Sequence, residues 1–329
     1  MKSLLTNAFI ILSLFLFSQC NNPIKNEDAI VYVEEGTIVN TGKDTTDNLV
    51  NEVDPIAEEV DPTLAHLIGY WVGYFKMADH EYAESINLDE GYSWNRENKI
   101  NISIDKIVGD EVFGHSVVAG NDRPFKGAMV LLENNNGISY IFDVREPGDD
   151  KYDGHFTFEI SNDKLSGKWK AYKKIDIQNR VYTLEKKPYQ YDPNVQLVHV
   201  KDYVNWEKFT EDIEVYQVDG ETEEWIYRQF STATELMYEI NASTTLLKKA
   251  DVENLKKGDL TIIRNTIYAR HGYSFKNRPL RVFFDAQPWY IPVHTDITTD
   301  FTDIEIKNIE LLMSFEENAA EYYDSFGRG

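Results

Sequence analysis

The sequence has one cysteine, Cys20, in 329 residues. It can therefore form no internal disulfide. Its seven histidines include no pair at helical ligand spacing. With no second thiol beside them, no structural metal is expected. Basic residues are also scarce. Lys and Arg total 33 against 56 Asp and Glu, a formal net charge of -23, and such a surface opposes phosphate polymers. Nucleic acid is thus excluded as a partner. Neither a Gly-x-Ser-x-Gly elbow nor a phosphate-binding loop is present, so no cofactor is expected. The apolar run from Ala8 to Phe17 (AFIILSLFLF) has only ten residues. As a helix it would rise about 15 Å, half of a bilayer core, so it is not expected to span.

That run follows Lys2 and precedes Ser18-Gln19-Cys20. It resembles a bacterial lipoprotein signal, in which the chain is cut before a cysteine that then carries lipid; Phe17 and Gln19 stand where Leu and a small residue are usual. The expected parts are a signal peptide at 1-19 and lipidation at Cys20, with a flexible acidic tether over 20-62. The resemblance implies a cell-envelope protein, in the outer membrane, held to the membrane by a lipid anchor.

Period-two alternation dominates 63-191. Ile100, Ile102 and Ile104 alternate with Asn101, Ser103 and Asp105, and Phe156, Phe158 and Ile160 with His155, Thr157 and Glu159. Turn signals recur at Val108-Gly109-Asp110, Asn134 to Gly137, Pro147 to Asp150 and Ser161 to Asp163. Roughly eight or nine strands are predicted, arranged as an antiparallel meander that closes into a β-barrel. Gly69-Tyr70-Trp71 is similar to the first-strand signature of lipocalin-like barrels, and Gly167-Lys168-Trp169 repeats the spacing late. In both units the glycine is expected to permit a bend and the tryptophan to fill a barrel end. The carboxylates Asp149, Asp150 and Asp153 match no calcium loop and are expected in a solvated hairpin turn.

The stretch 192-245 connects without an assigned structure. From 246 to 329 the period becomes helical, giving a multidomain β + α chain with a small, mainly α-helical C-terminal domain. A short helix is expected from Asp251, over Val252 to Lys257, stopped by Gly258, and a second one capped by Asp259. Thr302-Asp303-Ile304-Glu305 is a capping-box pattern before the stripe Ile306, Ile309, Leu312 and Met313, which runs toward Tyr322.

Between these helices lies TIIRNTIYARHGYSFKNRP, residues 261-279. Gly272 just past a helix would place Tyr268 and Tyr273 in Schellman-cap contact, with Arg270 and His271 in the last turn. Arg264, Arg270, Arg278 and Arg281, with Lys276, form a local basic cluster in an acidic chain. Such a cluster near aromatic rings suits a planar carboxylate, or internal pairing with Glu305, Asp285 or Asp303.

Arg264-Asn265, then Ile267 to Gly272, Phe275, Phe284 and Trp289-Tyr290, closely resemble the YARHG domain, a bacterial extracellular module. The resemblance runs from about Leu246 to Tyr322, with Glu305 and Asn308-Ile309 fitting its closing helix. The resemblance implies a place outside the cytoplasm and leaves both cell-wall attachment and an enzymatic role open. From the basic cluster itself, the expected function is a noncatalytic envelope protein that binds peptidoglycan or another envelope polymer, with Arg264, Tyr268, Arg270 and His271 as the ligand-binding residues. A carrier of small apolar ligands in the barrel and a hydrolase using His271 as general base are the alternatives. The acidic balance leaves the oligomeric state open.

Overall fold

Alternation over 63-191 does produce a closed sheet. The structure is a computed structural model and describes residues 61-78, 96-134, 137-218 and 220-319. The expected signal peptide, Cys20 and nearly all of the tether lie outside the described residues.

Eight strands form the barrel in simple order: β1 (Gly69–Met77), β2 (Asn98–Val108), β3 (Glu111–Val118), β4 (Asn121–Asn134), β5 (Gly137–Arg145), β6 (Gly154–Ser161), β7 (Lys164–Ala171) and β8 (Asn179–Lys186). Each pairs antiparallel with the next, and β1 pairs with β8 to close the ring, so no barrel edge is left. Inward positions carry one continuous apolar cluster that includes Trp71, Phe75, Ile102, Phe142, Phe156 and Trp169. The Phe142 and Phe158 rings stack at 4.6 Å. The interior is therefore occupied by packed side chains.

Both Gly-x-Trp units serve this packing at opposite ends of the barrel. Trp71 donates its Nε1 hydrogen bond to Leu67 O at 3.0 Å, in the incoming turn. Trp169 donates to Glu146 Oε2 at 3.2 Å, where β5 leaves the barrel. At Gly167 a Cβ would lie 2.4 Å from Thr157 O, so only glycine lets β6 and β7 approach there.

The β5-β6 connection is built on its acids. Asp153, almost fully buried, accepts hydrogen bonds from Arg123 Nε (3.1 Å), Gly148 N (2.8 Å) and Asp150 N (3.2 Å). Asp153 thus holds the turn from inside, while Asp150 is exposed and also meets Arg123.

Residues 187-203 leave β8 as an irregular strap, and β9 (Val204–Val218) and β10 (Glu221–Thr232) follow as a two-stranded ribbon. A 3-10 turn (Glu235–Tyr238) leads to four helices: α1 (Lys249–Val252), α2 (Lys257–Arg270), α3 (Arg278–Asp285) and α4 (Asp303–Asn318).

The expected short helix at Val252 to Lys257 is displaced. It ends at Val252, and Gly258 lies inside the first turn of α2 instead of stopping its predecessor. The reason is steric and tertiary, because a Cβ on Gly258 would stand 2.2 Å from Thr232 O at the end of β10. Asp259 is likewise the third helical residue rather than the cap. Its carboxylate reaches back to Lys256 N (3.0 Å) and also receives Thr234 N (2.5 Å).

The helical part packs on the outer face of β1 and β2. Lys99 donates its ammonium hydrogens to Gln287 O (2.7 Å) and Tyr290 O (3.1 Å), while its backbone N–H reaches Asp285 Oδ2 at 2.7 Å. Tyr74 donates to Asp285 O at 2.8 Å, and Val72 packs with Ile291 and Val293. Burial pushes the Asp285 carboxyl upward and the Lys99 ammonium downward.

Candidate functional site

Helix α2 ends as its residues dictate. Gly272 adopts φ +70°, Tyr273 N donates to Tyr268 O (3.1 Å) and Gly272 N to Ala269 O (3.0 Å), the two bonds of a Schellman cap. The Tyr268 and Tyr273 rings meet at 6.1 Å between centroids. Helix α4 begins with the expected capping box: Glu305 N donates to Thr302 Oγ1 (3.3 Å) and Thr302 N to Glu305 Oε2 (3.0 Å).

The two helix ends are joined through one carboxylate. His271 Nε2 lies 2.9 Å from Glu305 Oε2, and Tyr191 of the strap donates to Glu305 Oε1 at 3.0 Å. The Tyr191 ring also stacks on His271, 4.2 Å between centroids. Burial by itself would raise the Glu305 carboxyl. The hydrogen bonds from His271, Ser243 and Thr302 outweigh it and hold the group at about 2.

Arg270 is turned toward the strap. Its Nε and Nη2 both donate to Val195 O (3.0 and 2.8 Å), and Nη1 donates to Ser243 Oγ (3.0 Å). Burial lowers this guanidinium to about 10, with Glu305 the first of the charges that oppose the shift. Tyr189 closes the contact by donating to Arg270 O at 3.1 Å, with its ring against Gly272.

Arg264 belongs to a different pair. It grips Glu316 of α4 bidentately, Nε to Oε2 at 2.8 Å and Nη2 to Oε1 at 3.2 Å, and lies over the Tyr268 ring at 5.6 Å. The structure thus brings His271 together with Glu305 and Tyr191. It holds Arg264 and Arg270 on separate partners, and Arg281 reaches back to Lys276 O at 3.2 Å. Asn308, fully buried, fastens α4 by donating to Ala242 O (2.7 Å) and Thr245 O (2.8 Å) and accepting from Leu247 N (2.9 Å).

Residues 233–317 match the YARHG domain. The match begins thirteen residues before the point expected from the sequence and includes the 3-10 turn that leads into α1. No curated protein and no solved structure matches the chain. The YARHG domain is typical of extracellular and envelope proteins.

In this chain the pentapeptide Tyr268 to Gly272 is almost wholly buried; the Arg270 side chain meets the strap and Ser243, and that of His271 meets α4. Beside it a cleft of about 190 Å³ opens between the strap and α2, bordered by Tyr189, Gln190, Asp192, Arg270, Trp289 and Ile291. Of the four residues expected to bind ligand, Arg270 borders this cleft and Arg264, Tyr268 and His271 do not. Sequence reasoning missed the strap, although Tyr189-x-Tyr191 directly after β8 was a visible aromatic pair. Within the cleft wall, Trp289 has its Nε1 buried without a hydrogen-bond partner among the described residues.

Proposed function

We propose that this chain is a noncatalytic envelope lipoprotein, exported by residues 1-19 and anchored in the outer membrane through lipid on Cys20, that binds a cell-wall polymer through its YARHG domain. The observation that carries the binding mode is the cleft beside Arg270. It pairs two aromatic walls, Tyr189 and Trp289, with the exposed polar groups of Gln190 and Asp192. Its volume of about 190 Å³ is below the ~300–1,000 Å³ of most small-molecule pockets, so it suits one unit of a polymer better than a whole free ligand.

Peptidoglycan is the polymer this reading names. Its sugar rings present apolar faces to aromatic side chains and hydroxyls to polar ones. Support for a noncatalytic role comes from His271, whose Nε2 is engaged with Glu305 beneath the Tyr191 ring. The packed barrel interior gives the carrier alternative no supporting observation.

The test mixes the full chain with intact peptidoglycan sacculi and measures the bound fraction and any soluble fragments. Gln190→Ala and Trp289→Ala are expected to weaken retention by about tenfold, as loss of a contact at the centre of a small site does, with no fragments released. Equal retention by both variants would remove the cleft from the reading. Fragment release that His271→Gln abolishes would replace it with the hydrolase. Membrane anchoring is tested separately: Cys20→Ser should move the protein from the membrane to the soluble fraction.

A further inference from the structure

The ribbon of β9 and β10 is rooted in the helical part and then extends with its side chains in solvent. At the root Val204 and Phe230 are buried, and Tyr203 meets Phe283 edge to face at 6.0 Å. Farther out, Ile213, Val215, Trp225 and Ile226 are each 53–60 % exposed. Isolated two-stranded ribbons are marginal in water, and apolar groups on both faces make solvent a poor environment for this one.

The register separates the two faces. Ile213 pairs with Ile226 and Phe209 with Phe230, so these four and Val215 share one face, joined by the Glu211–Arg228 ion pair (3.1 Å). The opposite face carries Asp212, Glu214, Glu221 and Glu223 around Trp225 and Tyr216, whose rings stand 6.4 Å apart. Among the described residues, that face carries no Lys or Arg over the regularly paired stretches 210-218 and 221-229. Over 204-232 the chain has eight acidic residues against two basic ones.

We propose that this ribbon is a docking arm for a cationic, extended polypeptide segment, which adds as a third strand along an edge that no other strand of the described residues occupies. Charge selects the occupant. A second copy would bring a ribbon of net charge -6, eight acids less two bases, against an identical one, and an anionic lipid surface would be repelled in the same way. Pleating then selects the pattern. A strand on the open edge places alternate residues on each face, so its cations would lie over the carboxylates and rings while its apolar residues continue the Ile213 and Ile226 face.

The pattern defines the probe, a labelled peptide of four Lys-Val repeats, titrated by fluorescence anisotropy against the full chain in nonionic detergent. Saturable binding is expected. Glu214→Gln with Glu223→Gln, and separately Ile213→Thr with Ile226→Thr, should each weaken it by about tenfold or more. The charge variant alters only exposed groups and keeps the ribbon's apolar pairs, so it reads binding even if the second variant frays. A Lys-Gly repeat should bind as weakly as the Ile213→Thr/Ile226→Thr variant does. No binding, binding unaffected by the charge variant, or equal binding of the Lys-Gly peptide would overturn the proposal. So would a native dimer in sedimentation that Ile213→Thr/Ile226→Thr dissociates, since a second copy would then occupy the arm.

Discussion

His271 and Glu305 stand 2.9 Å apart, nitrogen to oxygen, and the same Glu305 carboxylate receives the first backbone N–H of the α4 capping box from Thr302. One side chain thus closes the end of α2, opens α4 and receives Tyr191 from the strap. Because the carboxylate is fully buried, its charge is tolerable only while those donors remain in place.

The pH dependence of that group follows from its direction. Glu305 is depressed to about 2 from an ordinary 4.5, so the stability it contributes is present above about 4.5 and is lost as pH falls through about 2. Denaturant unfolding between pH 5 and pH 2 should show this loss in the native chain. Glu305→Gln should be less stable at pH 5 and show a flatter profile below it; an unchanged acid slope would refute the role.

Glu146 has the opposite sign. Burial in the barrel wall raises it to about 7, against the hydrogen bonds it accepts from Trp169, Gly154 and Ser116. A raised carboxyl contributes stability that is full below about 4.5 and lost as pH rises through about 7. Glu146→Gln should therefore remove the decline between pH 5 and pH 8 and gain relative to the native chain at pH 8. Thermal unfolding at the two pH values measures it.

Arg270 ties the strap to α2 with two hydrogen bonds to Val195 O and donates a third to Ser243 Oγ, outside the strap. Arg270→Ala leaves that carbonyl without its side-chain donors and takes one partner from Ser243, and should cost about 2–4 kcal/mol. Hydrogen exchange should quicken selectively at residues 188–196. Arg270→Lys cannot reproduce the planar fork and should fall between the two. Uniform quickening along the chain would mean that the strap is not the element released.

Gly258→Ala sets two effects in competition. Alanine in place of glycine inside a helix ordinarily gains about 1 kcal/mol. Here the new Cβ would meet Thr232 O at 2.2 Å, a backbone atom that moves only if β10 shifts. The clash should win, with destabilisation of about 1–3 kcal/mol in denaturant unfolding. A stabilised variant would show that β10 yields at no cost.

The elements that were legible share one property: each is written in neighbours along the chain. Alternation in Ile100 to Ile104 specifies a half-buried strand because side chains repeat every two residues. Thr302 and Glu305 specify a helix start, and Gly272 a helix end, because their hydrogen bonds span three to five residues. The β9-β10 ribbon was not legible. Both its faces are solvated, and acids interrupt each apolar series, so the alternation that marks a strand with one buried face is missing. Gly258 misled for a related reason, since its requirement comes from Thr232 of a different element.

By itself, the sequence determined the acidic balance, the barrel strands and their turns, and the ends of α2 and α4, all of which depend on composition or on contacts a few residues apart. Only the tertiary structure decided what the pentapeptide does. Arg270 meets Val195 across 75 positions of chain, and His271 meets Glu305 across 34. An arginine and a histidine have the same donors whether they face a ligand or a strap. Which of these they face depends on how β8 leaves the barrel and where the helices pack, and no local pattern records that.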